Sequence, residues 1–237
     1  MLDKLSLTGL NFLDLGLINY LEALKIQKEA VLRVIGGLTA DTLIFCEHYD
    51  VITVGRSGNL SNILLTQEEL DKKNIKVIFT DRGGDVTYHG KGQLIVYPIF
   101  DLRKSIKDVH LFLRRLEFAV INLLTRYRIF AHLKSGKTGV WVKEKKIASI
   151  GVAFSHWVSY HGLSLNVAPD LSQFCLINPC GLKGVKMTSL KELLGGPIDM
   201  EGLKNRFKDE IVKIFYADPW KMKGEFKDEK VSFAGIR

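Results

Sequence analysis

Apolar residues recur at helical spacing in three stretches of this chain. The first stretch stops at a glycine pair, Gly36 and Gly37, which commonly end helices. The second has the cleanest apolar stripe, with Asp108 near its start and Arg126 near its end, as the helix dipole prefers. The patterns predict amphipathic helices over 17–31, over 109–127, and from a cap at Asp199 through Leu203, Phe207, Ile211 and Ile214, with a short helical turn over 190–194.

Short runs of β-branched and aromatic residues, bounded by turn residues, fill much of the remaining chain. They predict strands over 5–10, 42–47, 51–54, 76–80, 94–99, 139–142, 147–154 and 163–167, with 139–142 and 147–154 forming a hairpin. No internal repeat or linker interrupts the pattern. We therefore expect a single catalytic domain over residues 1–237, of α/β class with mixed (α+β) character, and a charged, loosely packed tail from about residue 219.

The segment over residues 81–98 joins two of these predicted strands and is unusually rich in glycine. Gly83, Gly84, Gly90 and Gly92 fall within ten residues and alternate with polar side chains. Glycine tolerates positive φ and lets a ligand approach the main chain, and long structured loops are usually functional. The segment therefore predicts a binding surface of exposed amides and donors; the alternative is a glycine-rich hairpin loop without chemistry.

Composition places few limits on function. At 237 residues with 46% hydrophobic content, the chain can fill its own core. It has no apolar run long enough to cross a bilayer and no signal-peptide pattern at its start, so we expect a cytoplasmic protein. The three cysteines, Cys46, Cys175 and Cys180, form no CxxC or CxxH pattern, which argues against a disulfide framework and against a zinc or other metal site.

The formal charge is +8, and the pI is near 9.3. This charge suits nucleic acid, an anionic membrane surface or an acidic protein partner, and does not choose among them. The lysines are spread along the chain and are not interleaved with aromatic residues in one patch, so a nucleic-acid or other basic binding module is the least favoured function.

A loose phosphate-binding pattern occurs over residues 131–138. That motif requires a strand before it and a helix after it, yet here the β-like Val140, Trp141 and Val142 follow directly. Nothing in the sequence therefore argues for nucleotide hydrolysis.

Cys180 is the strongest candidate nucleophile. Pro179 fixes the backbone before it and Gly181 relaxes the backbone after it, a way to present a side chain at a tight turn. A thiol reacts as its thiolate, which a nearby cation favours; Lys146, His89 and His161 are the candidates for that cation. The alternative is an inert cysteine in a loop. Cys175 is a weaker candidate, Cys46 is expected to pack as a small apolar residue, and His161 is equally well explained as an orienting or a structural residue.

Taken together, five blocks resemble the lipoate-biosynthesis octanoyltransferases, which move an octanoyl group from acyl carrier protein to lipoyl domains. The blocks are Glu47 and His48 with 51–56, the signature RGGDVTYHGKGQ over 82–93, KIASIG over 146–151, His161 with Gly162, and Pro179, Cys180 and Gly181. They occur in the order typical of that family. One position departs, since the family usually has proline where this chain has Lys91.

The resemblance implies the fold of biotin and lipoate protein ligases, a mixed β-sheet flanked by helices. It implies that Cys180 accepts the acyl group and that Lys146 lowers the pKa of the thiol and moves protons. It also implies an acyl and thioester pocket lined by Arg82, Gly83, Gly84, Asp85, Val86, Thr87, Tyr88, His89, Ser149, Ile150, Gly151, Gly162, Leu163 and Ser164.

The implied partners are octanoyl-acyl carrier protein as donor, and lipoyl domains of 2-oxoacid dehydrogenases and the glycine cleavage H protein as acceptors, with no nucleic acid and no membrane. No cofactor is implied, because passing an acyl group from thioester to thioester and then to an amine needs no ATP. The alternative is an ATP-dependent lipoate or biotin ligase of the same fold, which would not need Cys180.

Overall fold

In the computed structural model, which describes residues 9–105, 107–181 and 184–216, the chain forms two β-sheets with helices packed against them. The strands are β1 (Leu10–Ile18), β2 (Asp41–His48), β3 (Val51–Val54), β4 (Lys76–Phe79), β5 (Val86–His89), β6 (Gln93–Ile99), β7 (His132–Lys134), β8 (Lys137–Val142), β9 (Lys145–Ser155) and β10 (Val158–Asn166). The α-helices are α1 (Tyr20–Ile35), α2 (Gln67–Lys72), α3 (Val109–Arg126), α4 (Leu190–Leu194) and α5 (Met200–Tyr216).

The larger sheet has seven strands in the order β1-β2-β6-β10-β9-β8-β7. Only β1 and β2 pair in parallel within it, and its other neighbours are antiparallel. The smaller sheet has the order β4-β3-β5, with β4 parallel and β5 antiparallel to β3. Both sheets are therefore mixed, as the α+β expectation required.

Helices α3 and α5 bury their apolar stripes in the main core. Phe112 and Leu116 of α3 and Phe207 of α5 pack there with Phe45 of β2 and Leu94 of β6. Helix α1 belongs to a second core with the alternate residues of the same strands, including Cys46, Ile95 and Tyr97. The large sheet is therefore covered on both faces. A third core lies under the small sheet, with Ile52 and Tyr88 among its members.

Most predicted helices are confirmed. The Asp108 carboxylate caps α3 by accepting a bond from Leu111 N at 3.0 Å, and Asp199 accepts from Gly202 N at 3.0 Å at the start of α5. The first helix begins later than predicted, because Leu17 is part of β1. Its buried face is Ala23, Gln27, Val31 and Val34, while Leu21 is 57% exposed. The face of α1 that packs on the sheet therefore differs from the apolar face that the spacing of Leu17, Leu21 and Leu24 indicated.

The predicted strands from 42 to 54, at 76–80 and at 94–99, and the hairpin of β8 with β9, are confirmed. Of the predicted strand over 5–10, only Leu10 belongs to a described strand, β1, and Gly9 lies just before it. Residues 5–8 and the predicted tail from 219 lie outside the described residues. The strand predicted at 163–167 starts earlier, at Val158. Residues 131–138 contribute β7 and the start of β8.

The glycine-rich segment is not a plain loop between two paired strands. It contains β5, and the strands on either side, β4 and β6, belong to different sheets. The segment therefore crosses from the small sheet to the large one. No helix in the described part of the chain is both long and apolar enough to cross a membrane.

Candidate active site

A pocket lies where the glycine-rich segment meets the large sheet. Three distant stretches line it, namely 82–87 with His89, Ser149 to Gly151 of β9, and His161 to Ser164 of β10; Tyr20, Ile95 and Tyr97 complete it. The β9 and β10 residues are opposite each other in the sheet, with Ser149 facing Ser164 and Gly151 facing Gly162. Thirteen of the fourteen residues predicted as substrate-binding therefore line one pocket.

Tyr88 is the exception. Its side chain is buried in the core under the small sheet, where its ring contacts Phe174 with 5.5 Å between centroids and its hydroxyl donates to Asp50 Oδ1 at 2.9 Å. Side chains alternate along a strand, so Thr87 and His89 of β5 can face the pocket while Tyr88 faces away.

Arg82 ties the glycine-rich segment to β3. Its guanidinium donates to the carbonyl oxygens of Thr53 and Asp85, both at 2.7 Å, to Gly83 O at 3.0 Å, and to the Thr53 hydroxyl. The side chain is only 8% exposed. Arg82 therefore shapes the pocket wall through bonds within the protein.

The amides of this segment are largely used within the protein, which corrects the predicted surface of exposed amides. Gly83 N donates to Val152 O at 2.9 Å, Val86 N to Asp85 Oδ1 at 2.7 Å, and Gly92 N to Glu47 Oε2 at 2.7 Å. Buried backbone donors need partners, and the bonds to Val152 and Glu47 hold the segment against β9 and β2 of the large sheet.

Glycine at position 151 allows this close approach. A Cβ built on Gly151 would lie 2.7 Å from Gly83 O. A larger residue in β9 would therefore push the glycine-rich segment away from the sheet.

Asp85 joins the segment to the turn that carries Cys180. Its carboxylate accepts bonds from Asn59 N at 2.9 Å and from Asn62 Nδ2 at 2.6 Å. A Cβ built on Gly181 would lie 2.5 Å from Asp85 Oδ2, so the 3-10 turn Pro179–Gly181 lies directly against this carboxylate. The backbone of Cys180 is thereby placed beside the segment, whereas its side chain lies outside the described part of the chain.

A β-bulge directs Lys146 of β9. Val140 pairs with Ala148 and belongs to the core under α3, whereas Trp141 pairs with Lys146 because the register shifts between Val140 and Trp141. Paired residues share a face and neighbours alternate, so Trp141 and Lys146 face away from α3, toward the side that carries Ser149. Without the shift, strict alternation would give Lys146 the same face as Ala148.

Lys146 is held at this place by its surroundings. It is 1% exposed, and its Nζ lies 5.0 Å from the centre of the Trp141 ring. Its backbone amide donates to Lys186 O at 2.8 Å, and its carbonyl accepts from Thr188 N at 2.9 Å. These bonds join β9 to the chain that follows the Cys180 turn.

Buried histidines and tyrosines lie at the pocket wall and next to it: Tyr20, His89 and Tyr97 line the pocket, and His48 contacts Tyr97. His48 Nδ1 lies 2.9 Å from Ile18 O, a carbonyl that can only accept, so Nδ1 carries the proton and Nε2 accepts from the Tyr97 hydroxyl at 2.7 Å. Burial lowers the pKa of His48 to about 4, although its bond to Ile18 opposes this. Burial also holds the pKa of His89, which stacks on Tyr20, well below its usual value. Both imidazoles are therefore neutral near pH 7.

His161 lines the pocket in a strained backbone conformation. It has φ 55°, a left-handed conformation that is uncommon for residues other than glycine. Its Nε2 lies 2.7 Å from Asp81 Oδ1, its backbone N donates to Gln27 Oε1 at 2.8 Å, and its Nδ1 lies 3.4 Å from the Tyr20 hydroxyl. Burial lowers the pKa of His161 although the Asp81 carboxylate opposes it.

Three pocket residues were not predicted. Ile95 and Tyr97 lie two apart in a predicted strand, and the period of two would have placed them on one face. No local signal marks Tyr20, which reaches the pocket from the first turn of α1. The described residues contain no cluster of three or more histidine, cysteine or acidic side chains arranged to hold a metal ion.

Comparison with known proteins agrees with this architecture. The family model for the lipoyl protein ligase A/B catalytic domain matches residues 19–212. The octanoyltransferase of Geotalea uraniireducens is 43% identical over 212 residues, covering 86% of this chain and 96% of that protein. The octanoyltransferase of a Thermoanaerobacter species is 44% identical over 204 residues, covering 86% and 89%.

Solved structures show the same fold at low sequence identity. A lipoate-protein ligase A bound with ATP has a TM-score of 0.71 at 17% identity, covering 86% of this chain and 84% of that one. The biotin protein ligase of Aquifex aeolicus has a TM-score of 0.51 at 16% identity, covering 92% and 75%. The chain therefore belongs to the lipoyl protein ligase A/B catalytic domain family, and within it to the octanoyltransferases.

Proposed function

We propose that this protein moves an octanoyl group from a thioester donor to a lysine of a lipoyl domain, through a thioester on Cys180. One observation carries the proposal. Stretches of the chain around residues 82, 149 and 162 converge on a single pocket, in a chain whose curated relatives are octanoyltransferases.

The pocket suits a medium-length acyl chain. Val86, Ile95, Ile150 and Leu163 supply apolar wall. The neutral His89 in the pocket wall adds no charge there, so an alkyl chain can pack against it without desolvating an ion. Gly151 and Gly162 let neighbouring backbone pack closely against β9 and β10, which keeps the pocket wall compact.

Cys180 and Lys146 carry the chemistry. In the first step the Cys180 thiolate attacks the donor's carbonyl carbon, the donor's carbon–sulfur bond breaks, and the donor thiol leaves with a proton supplied by Lys146. In the second step the acceptor amine attacks the carbonyl carbon of the Cys180 thioester, an amide bond forms as the bond from that carbon to Cys180 Sγ breaks, Cys180 leaves as a thiolate, and the neutral Lys146 takes the proton released by the amine. The lysine is thus regenerated, and no ATP is consumed.

The proposed donor is octanoyl-acyl carrier protein, and the proposed acceptors are the lipoyl domains of 2-oxoacid dehydrogenases and the glycine cleavage H protein. The net charge of +8 favours encounter with an acidic carrier. A nucleophile that must stay a free thiol suits a reducing compartment, so we place the protein in the cytoplasm.

The test is transfer of octanoate to a purified lipoyl domain, followed by mass spectrometry. We expect modification of one lysine with octanoyl-acyl carrier protein and without ATP, and none with a Lys146→Met variant that retains its fold. Modification that requires ATP and free octanoate would contradict the proposal and would indicate an ATP-dependent ligase.

A further inference from the structure

One carboxylate of α3 lies on the far side of β8 from Lys146. Glu117 is 2% exposed; its Oε1 accepts a bond from Gly139 N at 2.8 Å, and its Oε2 accepts from Arg114 Nη1 at 2.9 Å. Burial raises the pKa of Glu117, while the Gly139 bond and the charges of Arg114 and Lys146 oppose it. The two buried groups, Glu117 and Lys146, are thus within range of each other's charge.

Gly139 links Glu117 to Lys146 by direct packing. It has φ 128°, and a Cβ built there would lie 2.5 Å from Lys146 Cε and 3.1 Å from Lys146 Nζ. The lysine stem therefore lies against the bare backbone of Gly139, with the Trp141 ring 5.0 Å from its Nζ. The bond from Glu117 fixes the backbone on which the lysine lies.

We propose that Glu117 is a positioning residue for Lys146: its hydrogen bond fixes Gly139 beneath the lysine stem, and its charge favours the ammonium form. This inference rests on the proposed function of Cys180 and Lys146. Arg114 faces Glu117 on α3, and His110 and Lys137 line the surface pocket that Glu117 also reaches.

Exchanging Glu117 for glutamine separates the two roles. The Glu117→Gln side chain keeps an oxygen that can accept from Gly139 N but loses the charge. Losing a negative charge favours the deprotonated form of the nearby Lys146 amine, and of the Cys180 thiol in so far as the proposed function pairs it with Lys146. Lys146 and Cys180 titrate as a coupled pair in the proposed function. The pH at which this pair is half deprotonated therefore falls in Glu117→Gln, whichever of the two groups a measurement reports.

The measurement is the rate of Cys180 alkylation by iodoacetamide as a function of pH, followed on the Cys180 peptide by mass spectrometry. For Glu117→Gln we expect the midpoint to fall by roughly 0.5–1 pH unit relative to wild type. Glu210→Gln is the matched control, because Glu210 is 4% exposed and pairs with Arg126 at 2.5 Å on the α5 side. That variant should leave the midpoint unchanged.

The positioning role is tested by Glu117→Leu, which cannot accept from Gly139 N. We expect kcat for octanoyl transfer to fall roughly 10–100-fold with KM for the lipoyl domain changed less than about twofold, and Glu117→Gln to restore most of kcat. A Glu117→Gln midpoint equal to or above that of wild type would overturn the inference, and this result stands even where Glu117→Leu does not fold. Failure of the wild-type protein to accept an octanoyl group on Cys180 would instead overturn the proposed function.

Discussion

Replacing Asp85 by alanine should both destabilise the protein and slow acylation of Cys180. Its carboxylate accepts three bonds, from Asn59 N at 2.9 Å, Val86 N at 2.7 Å and Asn62 Nδ2 at 2.6 Å. Asn62 O in turn accepts from Asn178 N at 2.7 Å, just before the Cys180 turn. Asp85, which lines the pocket, therefore anchors the loop of Asn59 and Asn62 and, through Asn62, the chain just before the Cys180 turn.

The magnitude follows from these bonds. Hydrogen bonds to a charged group contribute about 1.5–3 kcal/mol each, which gives an upper bound of about 4.5–9 kcal/mol for three. In the Asp85→Ala variant, water can bond to some of the donors that the carboxylate leaves, because the loop of Asn59 and Asn62 lies at the surface. We therefore expect the free energy of unfolding to fall by about 3 kcal/mol. For a chain of this size that corresponds to a fall in Tm of roughly 6–12 °C. A displacement of the Cys180 turn by about 1 Å would slow acylation roughly 100-fold.

The assay pairs thermal unfolding with the rate of acyl-enzyme formation at saturating donor. Asp50→Ala is the control, since Asp50 accepts one bond, from the Tyr88 hydroxyl at 2.9 Å, away from the pocket. By the same rule it should lose at most about 1.5–3 kcal/mol, and it should acylate at the wild-type rate. An Asp85→Ala protein with a Tm within about 2 °C of wild type and an unchanged acylation rate would refute the reasoning.

Three further predictions follow from burial and packing. Burial lowers the pKa of His48 to about 4, below the value of about 6.5 in the unfolded chain, so protonation favours unfolding. The contribution of His48 to the free energy of unfolding should be fully present above about pH 6.5 and should fall by about 3 kcal/mol as the pH drops to about 4, and the lowered pKa values of His89 and His161 add to this loss; urea unfolding that is independent of pH across this window would contradict it. A Cβ on Gly162 would lie 2.0 Å from Val96 O, so Gly162→Ala should cost about 3 kcal/mol in thermal unfolding, while Gly196→Ala, where nothing lies within 4 Å, should be neutral; equal losses would argue against the packing. Lys91 is exposed, so Lys91→Pro should keep kcat/KM within about twofold of wild type, and a fall beyond about fivefold would show that this lysine contributes to transfer.

Elements with strong local signals could be read from the sequence. The stripe of α3 and its cap at Asp108 both lie within one stretch of chain, and so do the two strands of the β8–β9 hairpin. The apolar spacing of 203, 207, 211 and 214 identified the buried face of α5 in the same way. In each case neighbours in sequence decide the conformation.

Features decided by distant pairing were not predictable. Lys146 faces the pocket side because the register between β8 and β9 shifts between Val140 and Trp141. A one-residue shift of this kind moves the side chains beyond it to the opposite face of the sheet. Leu17 lies in a strand because β1 pairs with β2, although its spacing fits a helix. The amides of the glycine-rich segment are used because partners such as Val152 O and Glu47 are brought to them by the fold.

The most direct test of the central claim is the intact mass of the protein after brief exposure to octanoyl-acyl carrier protein, beside a Cys180→Ser control, followed by addition of a lipoyl domain. We predict that only the wild-type protein gains one octanoyl group, and that this group then leaves the enzyme and appears on a lysine of the domain. No gain in a folded wild-type protein, or an equal gain in the Cys180→Ser variant, would contradict the account.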